Sequence, residues 1–219
     1  MIVTIDGPAG AGKSSAAREL ARRLGFRFLD TGAMYRSVTL AALERGLDLA
    51  DTQAMARLAG ALNLVVGDDQ VQMDGRDVTR AIRTVEVTNA TRHAADNPGV
   101  RAKLGELQQL AARHGNVVTE GRDQGSVVFP NAECKIFLTA SDEVRAKRRY
   151  HDLLERGEKI SLDHVLTKQR IRDEQDRTRL VGALVKPKDA IEVNTDRLSP
   201  TEVVDRLEAI VRSCQTASP

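Results

Sequence analysis

The 219-residue chain predicts an α/β fold, a five-stranded parallel sheet flanked by helices and carrying a small antiparallel insertion. Three observations predict it. Five short runs, at 2–6, 26–30, 116–120, 134–138 and 190–194, are nearly apolar throughout, as strands covered on both faces are. Between them lie stretches whose apolar residues recur every three or four positions, the helical period. One stretch, 62–79, breaks the alternation: Gly67-Asp68-Asp69 separates two alternating runs and Asp74-Gly75 follows, which reads as small hairpins.

The elements follow in order. "IVTID" (2–6) runs into the glycine-rich "GPAGAG", after which Ala16, Ala17, Leu20, Ala21 and Leu24 share a helix face closed by Gly25. The strand at 26–30 precedes a helix expected from about Met34 to Arg45, ended by Gly46. The insertion covers roughly 60–95, leaving 1–59 and 96–219 as one core. Asn97-Pro98 is a cap-and-proline helix start, with Val100, Leu104, Leu107, Leu110 and Ala111 on one face as far as Gly115. A fourth helix is expected from near Ser141, and the last after Ser199-Pro200, with 213–219 fraying as a tail.

Composition excludes several classes of function. Charged residues are 29% of the chain yet nearly cancel to +2, which gives no global field for nucleic acid or a membrane surface. Aromatics are 3% with no tryptophan, too few stacking platforms for a single-strand binder. Cys134 and Cys214 have no metal-ligand spacing and are expected as free thiols. The N-terminal apolar run breaks at Asp6, and no stretch approaches the ~20 residues of a membrane span, so a cytoplasmic monomer is expected.

The spacing G-x4-G-K-S is met by Gly7, Gly12, Lys13 and Ser14, between a predicted strand and a predicted helix. Glycines let the backbone at Gly7, Pro8, Ala9, Gly10, Ala11 and Gly12 wrap an anion with its N–H groups inward. The helix starting near Lys13, Ser14 and Ser15 adds the positive end of its dipole. Lys13 reaches the β- and γ-phosphates of a nucleoside triphosphate, and the Ser14 hydroxyl suits Mg²⁺. A loop of this kind serves many reactions. The absence of "NKxD" argues against a guanine-nucleotide switch.

Transfer between two anions requires arginines at several loop positions on the acceptor side. "LDTGAMYR" supplies Thr31 and Arg36, with Tyr35 as packing for the acceptor or for the core. "EGRDQGSVVFP" puts Arg122 and Asp123 at the carboxyl end of a strand, where open α/β sheets bind ligands. "RDEQDRTR" supplies Arg172, Arg177 and Arg179 with Asp173 and Asp176; helical spacing sets Arg172, Asp176 and Arg179 on one face. His93, His114, His151 and His164 fall on predicted helices with no nucleophile partner and stay outside the chemistry.

"IDGPAGAGKS", "LDTGAMYR", "IR…VTNA", "GRDQGSVVFP", "KIFLTAS", "RAKRR" and "RDEQDRTR" resemble, in order and spacing, the bacterial cytidylate kinase family, the (d)CMP kinases. The likeness covers almost the whole chain. It implies the nucleoside monophosphate kinase fold of the P-loop NTPases, with a lid at about 145–180 and 60–95 as the acceptor-binding insertion. It implies transfer of the γ-phosphoryl group of ATP, with Mg²⁺, to CMP or dCMP. By the same resemblance Arg36, Arg122 and Arg179 clamp the acceptor phosphate and transferring group, and Asp123 with Arg101 reads cytosine. Asp176 contacts the ribose, and Arg145, Arg148 and Arg149 close over ATP from the lid. The chain departs from the family twice. Arg92 stands where the family has a cytosine-reading serine, so either the neighbouring Thr91 supplies the hydroxyl or the base is read differently. Glu120 replaces an aspartate, keeping a carboxylate that can orient metal-bound water. Two rival readings are an acceptor such as UMP and a nucleotide-timed switch.

Overall fold

A computed structural model describes residues 1–67, 69–155 and 157–217. A five-stranded sheet of order β2-β6-β1-β7-β8 is built from β1 (Ile2–Asp6), β2 (Arg27–Asp30), β6 (Val117–Gly121), β7 (Cys134–Thr139) and β8 (Ile191–Asn194). All its pairs are parallel. A second sheet, β3 (Leu64–Val66), β4 (Val71–Met73) and β5 (Arg76–Asp77), is antiparallel. Of the hairpin residues expected between β3 and β4, Asp68 lies outside the described residues.

Strand residues alternate between two cores, as the period of two demands. Val118, Val3, Ile5 and Ile136 pack on α1 (Lys13–Leu24) and α8 (Pro200–Ala217). Val117 and Leu29 pack on the opposite face with α2 (Thr31–Glu44), α3 (Thr52–Ala61), α4 (Val85–Asp96) and α5 (Pro98–Ala111). A separate small cluster of Ala146, Leu153 and Val165 closes α6 (Asp142–Glu155) on α7 (Leu162–Thr178).

Several boundaries differ from the sequence reading for local reasons. The α2 helix starts at Thr31, not near Met34, because the Asp30 carboxylate accepts the Ala33 N–H at 2.8 Å and caps it. The α3 helix, which the periodicity did not reveal, is capped the same way by Asp51. The α8 helix continues through the 213–217 stretch expected to fray, while Ser218 and Pro219 lie outside the described residues. His114 sits in a bend after α5 rather than in a helix.

The register levels the carboxyl ends of the strands that matter. Asp6 is opposite Gly121 and Phe137, and Asp30 is opposite Glu120. The turns after β1, β2 and β6 therefore open on one edge of the sheet, at the point where the strand order reverses.

Candidate active site

The donor loop is made of backbone. Gly7 adopts φ 150° and passes so close to β7 that a Cβ there would overlap the Leu138 carbonyl oxygen. Gly12 caps α1 at φ 88° with no side-chain bond to the first turn, and that turn holds no acidic residue. The first N–H groups of α1 thus have no side-chain cap and stand at the end of the glycine-rich loop, a geometry that suits an anion. Lys13 is buried and donates to the Pro8 carbonyl at 2.8 Å. Burial, then the charges of Arg122 and Arg172, lower its pKa to about 7. Ser14 Oγ donates to Glu120 Oε1 at 2.9 Å, and Thr31 Oγ1 donates to the Glu120 carbonyl at 2.7 Å, which joins donor loop, β6 and α2 at one residue. Ser15 is exposed on the same turn.

The acceptor side is made of side chains. Arg122 Nε bonds Asp176 Oδ2 at 2.8 Å, and Arg179 Nη2 bonds the other oxygen, Oδ1, at 2.7 Å. Burial works against the charge on Asp176, but Arg122, Arg179 and Arg172 outweigh it and hold the carboxyl below its usual value. Arg179 lies just past the end of α7, with extended ψ, and reaches Asp176 by folding back; it is not on the helix face that the spacing suggested. Its Nε also bonds Asp96 Oδ1 at 2.7 Å, tying the end of α4 to the segment after α7. Arg36 reaches Asp30 at 3.5 Å, and its buried Nε has no hydrogen-bond partner among the described residues. Arg101 and Asp123 form a fully buried ion pair. Arg101 lies 5.4 Å from the centre of the Tyr35 ring, and a Cβ on Gly182 would overlap its guanidinium.

The remaining predicted residues fall further from these two groups. Thr91 Oγ1 donates to the Val87 carbonyl of its own helix, at 2.6 Å, whereas Arg92 lines a surface cavity with Asp96, Gln175, Thr178, Arg179 and Leu180. Arg145, expected over ATP, is instead spent inside the protein. It pairs with Asp173 at 2.7 Å and donates to Ala9 and Ala140 carbonyls, bracing the donor loop from α6. Arg148 donates to the hydroxyl and carbonyl of Thr195, and Arg149 is half-buried.

Sequence reasoning missed three participants. Arg83, in the turn before α4, meets Asp30 at 3.3 Å, next to Arg36. Asp96 pairs with Arg179 across 83 positions. Asp6 is buried against the turn after β6; burial, opposed by two backbone N–H bonds, raises its pKa to about 6. Partners so far apart in sequence leave no local spacing to read.

The chain that carries this glycine loop and these paired arginines matches, over residues 3–213, the family model described as Cytidylate kinase. The chain belongs to the cytidylate kinase family. A cytidylate kinase of Rhodopirellula baltica is 49% identical over 218 residues, covering 100% of this chain and 95% of that protein. One of Mycobacterium leprae is 46% identical, covering 97% of this chain and 96% of its own length. Among solved structures, a gluconokinase from Sinorhizobium meliloti aligns at a TM-score of 0.52 and 19% identity, covering 98% of this chain and 93% of that one. That last likeness concerns the fold alone, and it accords with the five-stranded sheet expected for a P-loop kinase. Among the described residues no helix is long and apolar enough to cross a membrane.

Proposed function

We propose that this cytidylate kinase family member transfers the γ-phosphoryl group of MgATP to the phosphate of CMP or dCMP, giving ADP and CDP or dCDP. The observation that carries the reading is the join at β6: Ser14 of the donor loop donates to Glu120 Oε1 at 2.9 Å, and Arg122, two residues on, shares Asp176 with Arg179 at 2.8 and 2.7 Å. Two anions held by those two sets face one another across a single cleft.

The acceptor phosphate is already ionised, so no strong base is needed, and the residues act by positioning and by neutralising charge. In this reading the backbone of 7–12 cradles the triphosphate and Lys13 moves from Pro8 to the β- and γ-oxygens. Arg36, Arg122 and Arg179 clamp the acceptor phosphate, Asp176 turns to the ribose, and Arg101 with Asp123 reads the base, aided by Thr91 or Arg92. Arg148 supports the donor from α6. Ser14 Oγ, beside a buried Glu120 carboxylate, is a hard-oxygen pair that fits Mg²⁺, an ion that keeps several waters and binds mainly through phosphates. Bound there, Mg²⁺ would offset charge on the transferring group; Glu120 would orient its water. Residues 60–95 serve as the acceptor-binding insertion and about 145–180 as a lid that keeps water from ATP. The protein works as a cytoplasmic monomer on free nucleotides.

Incubation with MgATP and CMP, followed by anion-exchange separation, tests the reaction. CDP and ADP in equal amounts is the expected outcome. ADP and inorganic phosphate without CDP would replace the kinase by a nucleotide-timed switch.

A further inference from the structure

The structure assigns Asp6 as a positioning residue that fixes the acceptor-binding turn to the donor strand. Asp6 is the last residue of β1 and the one before Gly7, and it is 1% exposed. Its carboxylate accepts the Gln124 N–H at 2.9 Å and the Gly125 N–H at 2.7 Å, from the π-turn Gln124–Val128 that follows Arg122 and Asp123. One carboxylate therefore spans 118 and 119 positions to hold the start of the turn by two charge-assisted bonds.

Other contacts fit the turn to the same place. Gln124 Oε1 accepts from Thr119 Oγ1 at 2.8 Å, and its Nε2 donates to Gln108 at 3.1 Å. Gly125 lies so close to β1 that a Cβ would come 2.8 Å from Thr4 Oγ1 and 3.4 Å from Asp6 Oδ2. Arg122 and Asp123, directly before the turn, are thereby set at a fixed distance from the loop that starts one residue after Asp6. The charged groups near Asp6 are Lys13 of α1 and Asp123 just before the turn, with Lys135 of β7 against Gly125. A buried carboxylate whose burial outweighs its hydrogen bonds costs stability in the ionised form, so folding alone does not account for it.

The inference rests on the reading that Arg122 and Asp123 hold the acceptor. Its test compares Asp6→Asn, Gly125→Ala and Arg122→Ala with the parent chain. Steady-state rates with MgATP and CMP are measured beside calorimetric binding of MgADP and thermal unfolding. In Asp6→Asn the amide keeps one bond and turns an N–H group toward the other backbone N–H. The expected result is a fall in kcat/KM for CMP of about 10²-fold, the cost of a displacement near 1 Å, with MgADP binding within about twofold and no lower melting temperature. Gly125→Ala, whose Cβ presses on Thr4 of β1 and so pushes the turn off that strand while leaving the Asp6 carboxylate in place, should reproduce that split. Equal loss of CMP and MgADP handling, a fall tracking the melting temperature in both variants, or parent-like rates in Asp6→Asn would overturn the role of Asp6. Parent-like CMP kinetics in Arg122→Ala would instead overturn the acceptor assignment on which it rests.

Discussion

The donor loop and the acceptor face sit on the same sheet edge but are built from different materials. The loop is eight contiguous residues, Gly7 to Ser14, whose glycines at 7, 10 and 12 hold positive φ and whose backbone N–H groups are the donors assigned to the triphosphate under the proposal. The acceptor face draws Arg36, Arg101, Arg122, Asp123, Asp176 and Arg179 from separate elements. Its arginines are also held already: Arg122 and Arg179 share Asp176, Arg179 also holds Asp96, and Arg101 holds Asp123. A backbone site is complete once the chain turns, because its donors have no rotamers to set. A side-chain site must trade internal ion pairs for substrate, and each traded pair keeps buried charge compensated until the ligand arrives.

That contrast breaks down most visibly at Lys13, the one charged side chain of the donor loop. Lys13→Ala should lower kcat/KM by about 10³-fold and weaken MgATP binding as well, because Lys13 is the donor loop's own charge. Steady-state kinetics with calorimetry reads both; loss of rate with intact MgATP affinity would move Lys13 out of the loop's binding role. Arg179→Ala should cost about 10²-fold in the rate of transfer while MgATP affinity holds, since its loss empties only the side-chain site. An unchanged rate would take it out of the clamp.

The pH dependence sharpens the comparison. Burial and the neighbouring arginines leave Lys13 with a pKa of about 7 in the free chain, against 10.5 normally. The unfolded chain then binds more protons than the folded one between those values, so Lys13 carries a stability cost that is full below pH 7 and is relieved as pH rises toward 10.5. Triphosphate restores the charge, so MgATP binding near pH 8 should take up close to one proton, by linkage. Calorimetry in buffers of different ionisation heat measures it, and the uptake should vanish in Lys13→Met. The smallest effect belongs to Thr91. Its hydroxyl is turned onto Val87, so Thr91→Val should change the KM for CMP by no more than about fivefold, the worth of one neutral hydrogen bond. A much larger change would make Thr91, rather than Arg92, the base-reading residue.

The same contrast decides what the sequence made legible. The donor loop could be read from eight residues because spacing alone sets a backbone site. Arg36, Arg122 and Arg179 could be picked out as acceptor candidates from their loops, and roles came only through family resemblance. The pairs Asp96–Arg179 and Arg83–Asp30, and the seat of Asp6 under the π-turn, depend on strand order and left no local pattern. Arg145 misled for the opposite reason. Its "RAKRR" setting suits a lid cation, yet a buried Asp173 on α7 captures it. The fold was more legible than the site, apart from α3, where "TQAMARLAGA" is rich in alanine with Met55 and Leu58 as its large apolar residues and so gives little contrast.

The most direct measurement is the initial rate of ADP formation from MgATP with CMP, dCMP, UMP, AMP, GMP or no acceptor. Fast turnover with CMP and dCMP, and almost none without an acceptor, is the predicted result. Turnover that ignores the acceptor would contradict the account, because the paired arginines opposite the donor loop would then hold nothing.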